Sequence, residues 1–169
     1  FAFNDNQKYA YNNMNFSVNW RSIFSEKLTA NFSFGYDHYD YRNDESVEEA
    51  AAARLSFAIN QWFGKVDFSY KLDNNHTLNF GLMSQFYNIN SGTYEPLHES
   101  SLVKWDQLQK DKALESAIYI GDQWEITPKL SVNAGIRYSM FNLLGPRTYY
   151  TYQDGMLPSS TTVVDSVSV

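Results

Sequence analysis

The stretch Ala117-Ile118-Tyr119-Ile120-Gly121-Asp122-Gln123-Trp124-Glu125-Ile126-Thr127-Pro128-Lys129-Leu130-Ser131-Val132-Asn133-Ala134-Gly135-Ile136-Arg137-Tyr138 alternates apolar and polar residues on both sides of Thr127-Pro128-Lys129. Successive side chains of an extended chain point to opposite faces, so the pattern reads as two strands with unlike faces joined by a tight turn. Centring the hairpin on Pro128 sets Ile126 opposite Leu130, Trp124 opposite Val132, Ile120 opposite Ile136 and Ile118 opposite Tyr138. Gln123–Asn133, Gly121–Gly135 and Tyr119–Arg137 then share the other face. A slip of one residue would scramble both faces. Asp122 breaks the pattern by falling opposite Ala134 on the apolar side, which predicts either a bulge at Gly121-Asp122 or a position near the rim.

The same period runs outward along the chain. Met14, Phe16, Val18 and Trp20 alternate with polar residues, as do Leu28, Ala30, Phe32, Phe34 and Tyr36 after Ser25-Glu26-Lys27. Val66, Phe68, Tyr70 and Leu72 lead through Asp73-Asn74-Asn75-His76 to Leu78, Phe80 and Leu82. The chain therefore reads as about six strands in three hairpins, with short turns near 25, 75 and 128 and long loops at 43–52, 91–112 and 142–169. Centring the second hairpin on Asn75 pairs Leu72 with Leu78, Tyr70 with Phe80, Phe68 with Leu82 and Gly64 with Phe86. Leu55, Phe57 and Ile59 lie on odd positions, unlike Val66 to Leu72, and predict a β-bulge within Asn60 to Gly64.

Composition narrows the class. The chain has 169 residues, no cysteine, a formal net charge of −6, and 13 Tyr, 12 Phe and 4 Trp. Its mean hydropathy is −0.48 and its pI near 4.9. So aromatic a chain is not a disordered tail. So acidic a chain, without a basic block, is a poor nucleic-acid partner. Disulfide scaffolds and thiolate chemistry are absent, and no apolar run is long enough for a membrane helix. Short turns at one end and long loops at the other suit a transmembrane barrel, whose apolar face meets lipid and whose polar face lines water. The polar faces carry Asn, Ser, Thr, Gln and Gly rather than the Lys and Glu of sheets in bulk water. Trp124 near its turn, and Tyr39, Tyr41, Tyr87 and Phe141 toward the long loops, read as interfacial belts. Ala53 to Leu72, at 20 residues, is long enough to project beyond a bilayer. The fold class is all-β, with antiparallel transmembrane β-barrel strands.

The block from Ala117 to Tyr138 resembles a hairpin of TonB-dependent outer-membrane transporters, through its Tyr-x-x-Asp strand, Thr-x-x-Leu turn and closing Gly-x-Arg-Tyr. The asparagine- and tyrosine-rich texture is similar to that of transporters from the Bacteroidetes. The resemblance implies a barrel of 22 strands in the cell outer membrane, closed by an N-terminal plug and importing a scarce nutrient (siderophore, vitamin, glycan or peptide). It also implies coupling to an inner-membrane energy complex, contact with outer-membrane lipid and a surface lipoprotein partner. Residues 1–169 then form part of one barrel domain without the plug. Phe1-Ala2-Phe3-Asn4-Asp5, neither an initiator methionine nor a signal peptide, fits such a fragment. Two alternatives stand beside it. A complete small barrel with a structural or adhesive role would need two more strands, for which Thr148 to Tyr152 and Thr161 to Val169 are the candidates. A soluble β-sandwich would bind carbohydrate through its rings.

Catalytic signatures are missing. His38, His76 and His98 are scattered, with no Gly-x-Ser-x-Gly and no His-Glu-x-x-His, so neither an enzyme nor a metal or cofactor site is expected. Asp37-His38-Tyr39-Asp40 divides between two faces, and the acidic run Asp44, Glu45, Glu48 and Glu49 lacks EF-hand spacing. Candidate extracellular ligand contacts are Tyr94, Trp105, Tyr149, Tyr150 and Tyr152, aromatic residues of the long loops. Candidate lumen or plug contacts are Tyr119, Gly121, Gly135 and Arg137, where the glycine pair leaves room for another backbone and Arg137 points into the lumen. An ion pair satisfying a polar wall is the other reading of Arg137.

Overall fold

The computed structural model describes residues 7–46, 48–146, 148–157, 159 and 161–168. Its long strands are β1 (Gln7–Ile23), β2 (Leu28–Glu45), β3 (Ala53–Lys71), β4 (His76–Pro96), β6 (Asp111–Thr127) and β7 (Leu130–Leu144). A two-residue β5 (Asp106–Gln107) pairs with β4, while β8 (Thr148–Tyr152) and β9 (Val163–Ser168) form a separate hairpin. The main sheet runs β1-β2-β3-β4-β6-β7, antiparallel throughout, and does not close on itself. A short 3-10 turn, Glu49–Ala51, connects β2 to β3.

Each tight turn is locked by a small polar side chain. Ser25 Oγ accepts from the N–H groups of Lys27 and Leu28 at 3.3 and 3.1 Å. Asp73 Oδ1 accepts from Asn75 and His76 N–H, both at 2.8 Å, and these amides hold its carboxyl below the usual carboxylate range. Thr127 Oγ1 accepts from Lys129 N–H at 3.3 Å. Such side chains mimic a backbone turn and so fix where each strand reverses.

Apart from ladder ends, even positions pair with even ones across the sheet. The third hairpin has the expected register, with Trp124–Val132, Gly121–Gly135 and Tyr119–Arg137, and shifts only between Glu125 and Thr127. The second hairpin is displaced by two residues: Tyr70 pairs with Leu78, Phe68 with Phe80 and Val66 with Leu82. A slip of two keeps every side chain on its face, so the pattern of apolar residues could not detect it. No bulge interrupts Asn60 to Gly64, since the β2–β3 ladder is continuous from Leu28–Tyr70 to Glu45–Ala53. The register break lies between Ser56 and Ala58, where β4 carries the extra residue. The six long strands are the expected three hairpins, and strands also occupy much of the expected loops: β2 reaches Glu45, β4 continues to Pro96, β6 starts at Asp111, and the short β5, β8 and β9 bring the described strands to nine.

The parity change at Leu55, Phe57 and Ile59 has another cause: the sheet exchanges its apolar and polar faces part-way up. On β2 the even face is apolar from Leu28 to Tyr36 and then continues His38, Asp40, Arg42, Asp44. The odd face is polar from Thr29 to Asp37 and then continues Tyr39, Tyr41. β1 does the same, with Phe16 and Trp20 even but Tyr9 and Tyr11 odd, and β3 follows with Val66 and Phe68 even but Phe57 and Ile59 odd. Tyr39, Tyr41, Tyr87 and Phe141 therefore lie on the odd face and are not an even-face belt. That role falls to Tyr36, Trp62 and Phe86, neighbours on the even face. The eight steps from Leu28 to Tyr36 rise about 26 Å along a strand, or roughly 20 Å at a tilt near 40°, most of the apolar band of an outer-membrane barrel.

Among the described residues no second layer covers either face. The buried apolar residues are the small Ala30, Ala52, Ala53, Ala113 and Ala117, while Ile118 is 63% and Ile136 78% exposed. Asp122 sits in an unbroken stretch of register near the turn end of the sheet, opposite Leu78 and Ala134. It meets His76 Nδ1 at 2.7 Å, and His76 stacks on Trp124 at 5.5 Å. The rim position, with an ionic partner, replaces the bulge.

Candidate ligand-binding surfaces of the wall

The odd face of the lower wall carries a polar cluster. The Tyr119 side chain closes over Gly81, its cross-strand neighbour, where an added Cβ would run into the phenol and the Val66 carbonyl. An aromatic ring laid over a glycine in this way restores the packing the glycine lacks. The phenol donates to Asp67 Oδ1, and Asp67 also holds Lys65 Nζ at 2.9 Å. Lys65 and Arg137 approach the Tyr119 ring at 5.8 and 5.6 Å from its centroid, so the ring is shared by two cations. Arg137 donates to Ser139 Oγ at 3.1 Å and reaches Met83 Sδ at 3.8 Å. Among the described residues no carboxylate lies within ion-pairing distance of Arg137.

Arg137 thus packs against a ring rather than forming an ion pair. Gly121 and Gly135 oppose each other as expected. An added Cβ at Gly135 would stand 2.9 Å from the Ile120 carbonyl oxygen, and one at Gly121 3.1 Å from that of Ala134. The backbone these glycines approach most closely is therefore their own sheet's. Sequence reading paired Tyr119 with Arg137 but missed Asp67 and Lys65, two strands away; their signal was two opposite charges at i and i+2, on one face of β3.

Higher on the odd face the rings form a ladder across β1, β2 and β3. Tyr41 stacks on Phe57 at 4.8 Å, with Tyr39–Phe57 at 6.3 Å and Tyr9–Tyr41 at 6.4 Å. Beside it a hollow of about 290 Å³ is lined by Asn13, Asp37, His38, Tyr39, Ile59 and Gln61. Asp37 accepts from Asn15 Nδ2 and, at 3.2 Å, from Gln61 Nε2. The His38 ring is held on the even side, by Asn60 Oδ1 at 2.7 Å and Asp40 Oδ1 at 2.9 Å. A larger hollow lies on the even face among Phe68, Phe80, Leu82, Ile118, Ile136 and Tyr138, an apolar surface that suits an acyl chain.

The five ring residues expected in loops do not converge. Tyr94 is on β4, paired with Leu55 and Asp106, and lines a hollow of about 280 Å³ with Gly92 and Leu108. Trp105 precedes β5 and is exposed. Tyr149, Tyr150 and Tyr152 belong to β8, whose hairpin is tied to the preceding segment where Gln109 donates to the Pro146 carbonyl at 2.9 Å and accepts from Thr148 N–H at 3.2 Å. Among the described residues no group of His, Cys, Asp or Glu could hold a metal ion.

The family described as TonB dependent receptor-like, beta-barrel matches residues 1–164. No curated protein matches the chain.

Proposed function

The chain belongs to the TonB-dependent receptor-like β-barrel family, and from that premise we propose that it is a section of the barrel wall of an outer-membrane transporter that imports a scarce nutrient. The observation that carries the reading is the sorted sheet: an apolar even face spanning most of the apolar band of an outer-membrane barrel, a polar odd face behind it, and no core between. Two free sheet edges, β1 and β7, leave room for the remaining strands of a large barrel, and the β8–β9 hairpin does not join them. A wall of this kind works without covalent chemistry. Its lower odd face, around Tyr119 and Arg137, meets the plug, and its upper part, with Tyr94, Trp105, Tyr149, Tyr150 and Tyr152, faces the medium. Outer-membrane lipid, the energy-coupling inner-membrane complex and a surface lipoprotein are the partners of this role. The test is fractionation of the complete protein: recovery in the outer membrane, with the heat-dependent gel shift of a folded barrel, is expected. Solubility of the intact protein in aqueous buffer without detergent overturns the proposal.

A further inference from the structure

Above the level where the faces exchange, the charges are sorted as well as the rings. Among the described residues there, Lys8, Arg42, Arg54 and Lys112 all occupy even positions, and the ring of His38 is held on that same side. Among the described residues the odd face has no cation at this height. It presents tyrosines and phenylalanines with Asp37, Glu45, Asp111 and Glu115 and the amides of Asn13 and Gln61. An anionic ligand would meet carboxylates with nothing to neutralise it. Within the hollow the one carboxylate is Asp37, and both its oxygens already accept, Oδ1 from Asn15 and Oδ2 from Gln61, so its charge serves to orient amides rather than to receive a cation. Amides oriented by a carboxylate, beside flat rings, are the chemistry that grips a neutral polyhydroxylated ring: hydroxyls bond to the amides while C–H faces lie on the aromatic surface.

We propose that the hollow bounded by Asn13, Asp37, Tyr39, Ile59 and Gln61, together with the Tyr39–Phe57–Tyr41 ladder, is a subsite for a neutral oligosaccharide on the inner wall of the barrel. The inference rests on the transporter reading, which makes the odd face the inner one, and adds the ligand class and the residues that take it. Tyr39 is the stacking platform, Gln61 the oriented hydroxyl partner, and Asp37 the positioning residue that holds Gln61.

The complete protein in detergent is titrated calorimetrically with neutral gluco-, manno-, xylo- and fructo-oligosaccharides, and with a ferric tricatecholate anion and a lysine oligopeptide as comparators. Binding of at least one neutral series is expected, weakened about tenfold by Tyr39→Ala and by Gln61→Ala. Tyr39→Phe, which keeps the ring, should regain most of the affinity lost in Tyr39→Ala, whereas Ser69→Ala, low on the odd face and away from the hollow, should stay within about twofold of the parent. Binding confined to a charged comparator, binding of nothing in the panel, or full affinity in Tyr39→Ala overturns the subsite. Outer-membrane fractionation of the same preparations separates the two failures. A folded barrel that binds no neutral sugar sinks the subsite alone, whereas a protein absent from the outer membrane sinks the transporter reading beneath it.

Discussion

Arginine placed at three positions of β3 tests whether the exchanged faces meet the solvents assigned to them. Val66 is on the even face at mid-band, opposite Phe32 and Leu82. Ala58 is on the same face eight residues higher, opposite Asp40 and Asn90. Ser69 is on the odd face, opposite Thr29 and Asn79. Eight residues correspond to about 26 Å along the strand and roughly 20 Å of height, which puts Ala58 well outside a half-band of about 12 Å. Val66→Arg should therefore cost about 2–4 kcal/mol, the cost of a cation at the lipid midplane. Ala58→Arg should cost about 0–1 kcal/mol, because that face is in water at that height. Ser69→Arg should cost about as little, since it adds a charge to a wet wall that holds Asp67 on the same face. Guanidinium unfolding of the complete protein in phosphatidylcholine vesicles, followed by tryptophan fluorescence, measures all three. At 1.4 kcal/mol per factor of ten, Val66→Arg should lower the folding equilibrium by roughly 30- to 1000-fold. If Ala58→Arg costs as much as Val66→Arg, the face exchange does not mark the edge of the lipid. If Val66→Arg costs no more than Ser69→Arg, the even face is not against lipid at all.

Three further outcomes follow from local geometry. Gly81→Ala should destabilise the wall by about 1–3 kcal/mol in the same assay, because the new methyl meets both the Tyr119 phenol and the Val66 carbonyl; Tyr119→Ala should relieve part of that loss and not all of it, since the backbone clash stays. His76→Ala should cost about 1–3 kcal/mol by leaving Asp122 without its partner on the even face, whereas His76→Ala combined with Asp122→Leu should recover most of it. Beyond the apolar band, Arg54 donates twice to Asp44, at 2.6 and 2.8 Å, and holds its carboxyl below the usual carboxylate range. A lowered folded-state pKa stabilises above the unfolded value near 4 and loses that contribution as pH falls through the folded value. Asp44→Asn should thus cost about 1 kcal/mol at pH 7, after discounting for solvent screening, and nothing once the pH drops below the folded pKa of Asp44; an equal cost at both pH values would refute the pairing.

What the amino-acid sequence determined by itself was everything that follows from a period of two. Even and odd positions are physically distinct in an extended chain, so the third hairpin's register, its Tyr119–Arg137 and Gly121–Gly135 pairs, the three tight turns and the apolar-and-polar division of the lower wall were legible without coordinates. The family resemblance came from that same hairpin. What only the tertiary structure decided was which strand lies beside which, and at what offset. An even slip leaves every face intact, so Phe68 opposite Phe80, rather than Leu82, could not be read from the pattern. A face exchange looks like a bulge in one strand and becomes visible as an exchange only when β1, β2 and β3 are aligned at one height. Charges two strands apart, such as Lys65 and Asp67 around Tyr119, become neighbours through the sheet and not through the chain. Alternation is a local property of the backbone; register and height belong to the ladder of hydrogen bonds between strands, and the hollow between Asp37, Tyr39 and Gln61 exists only there.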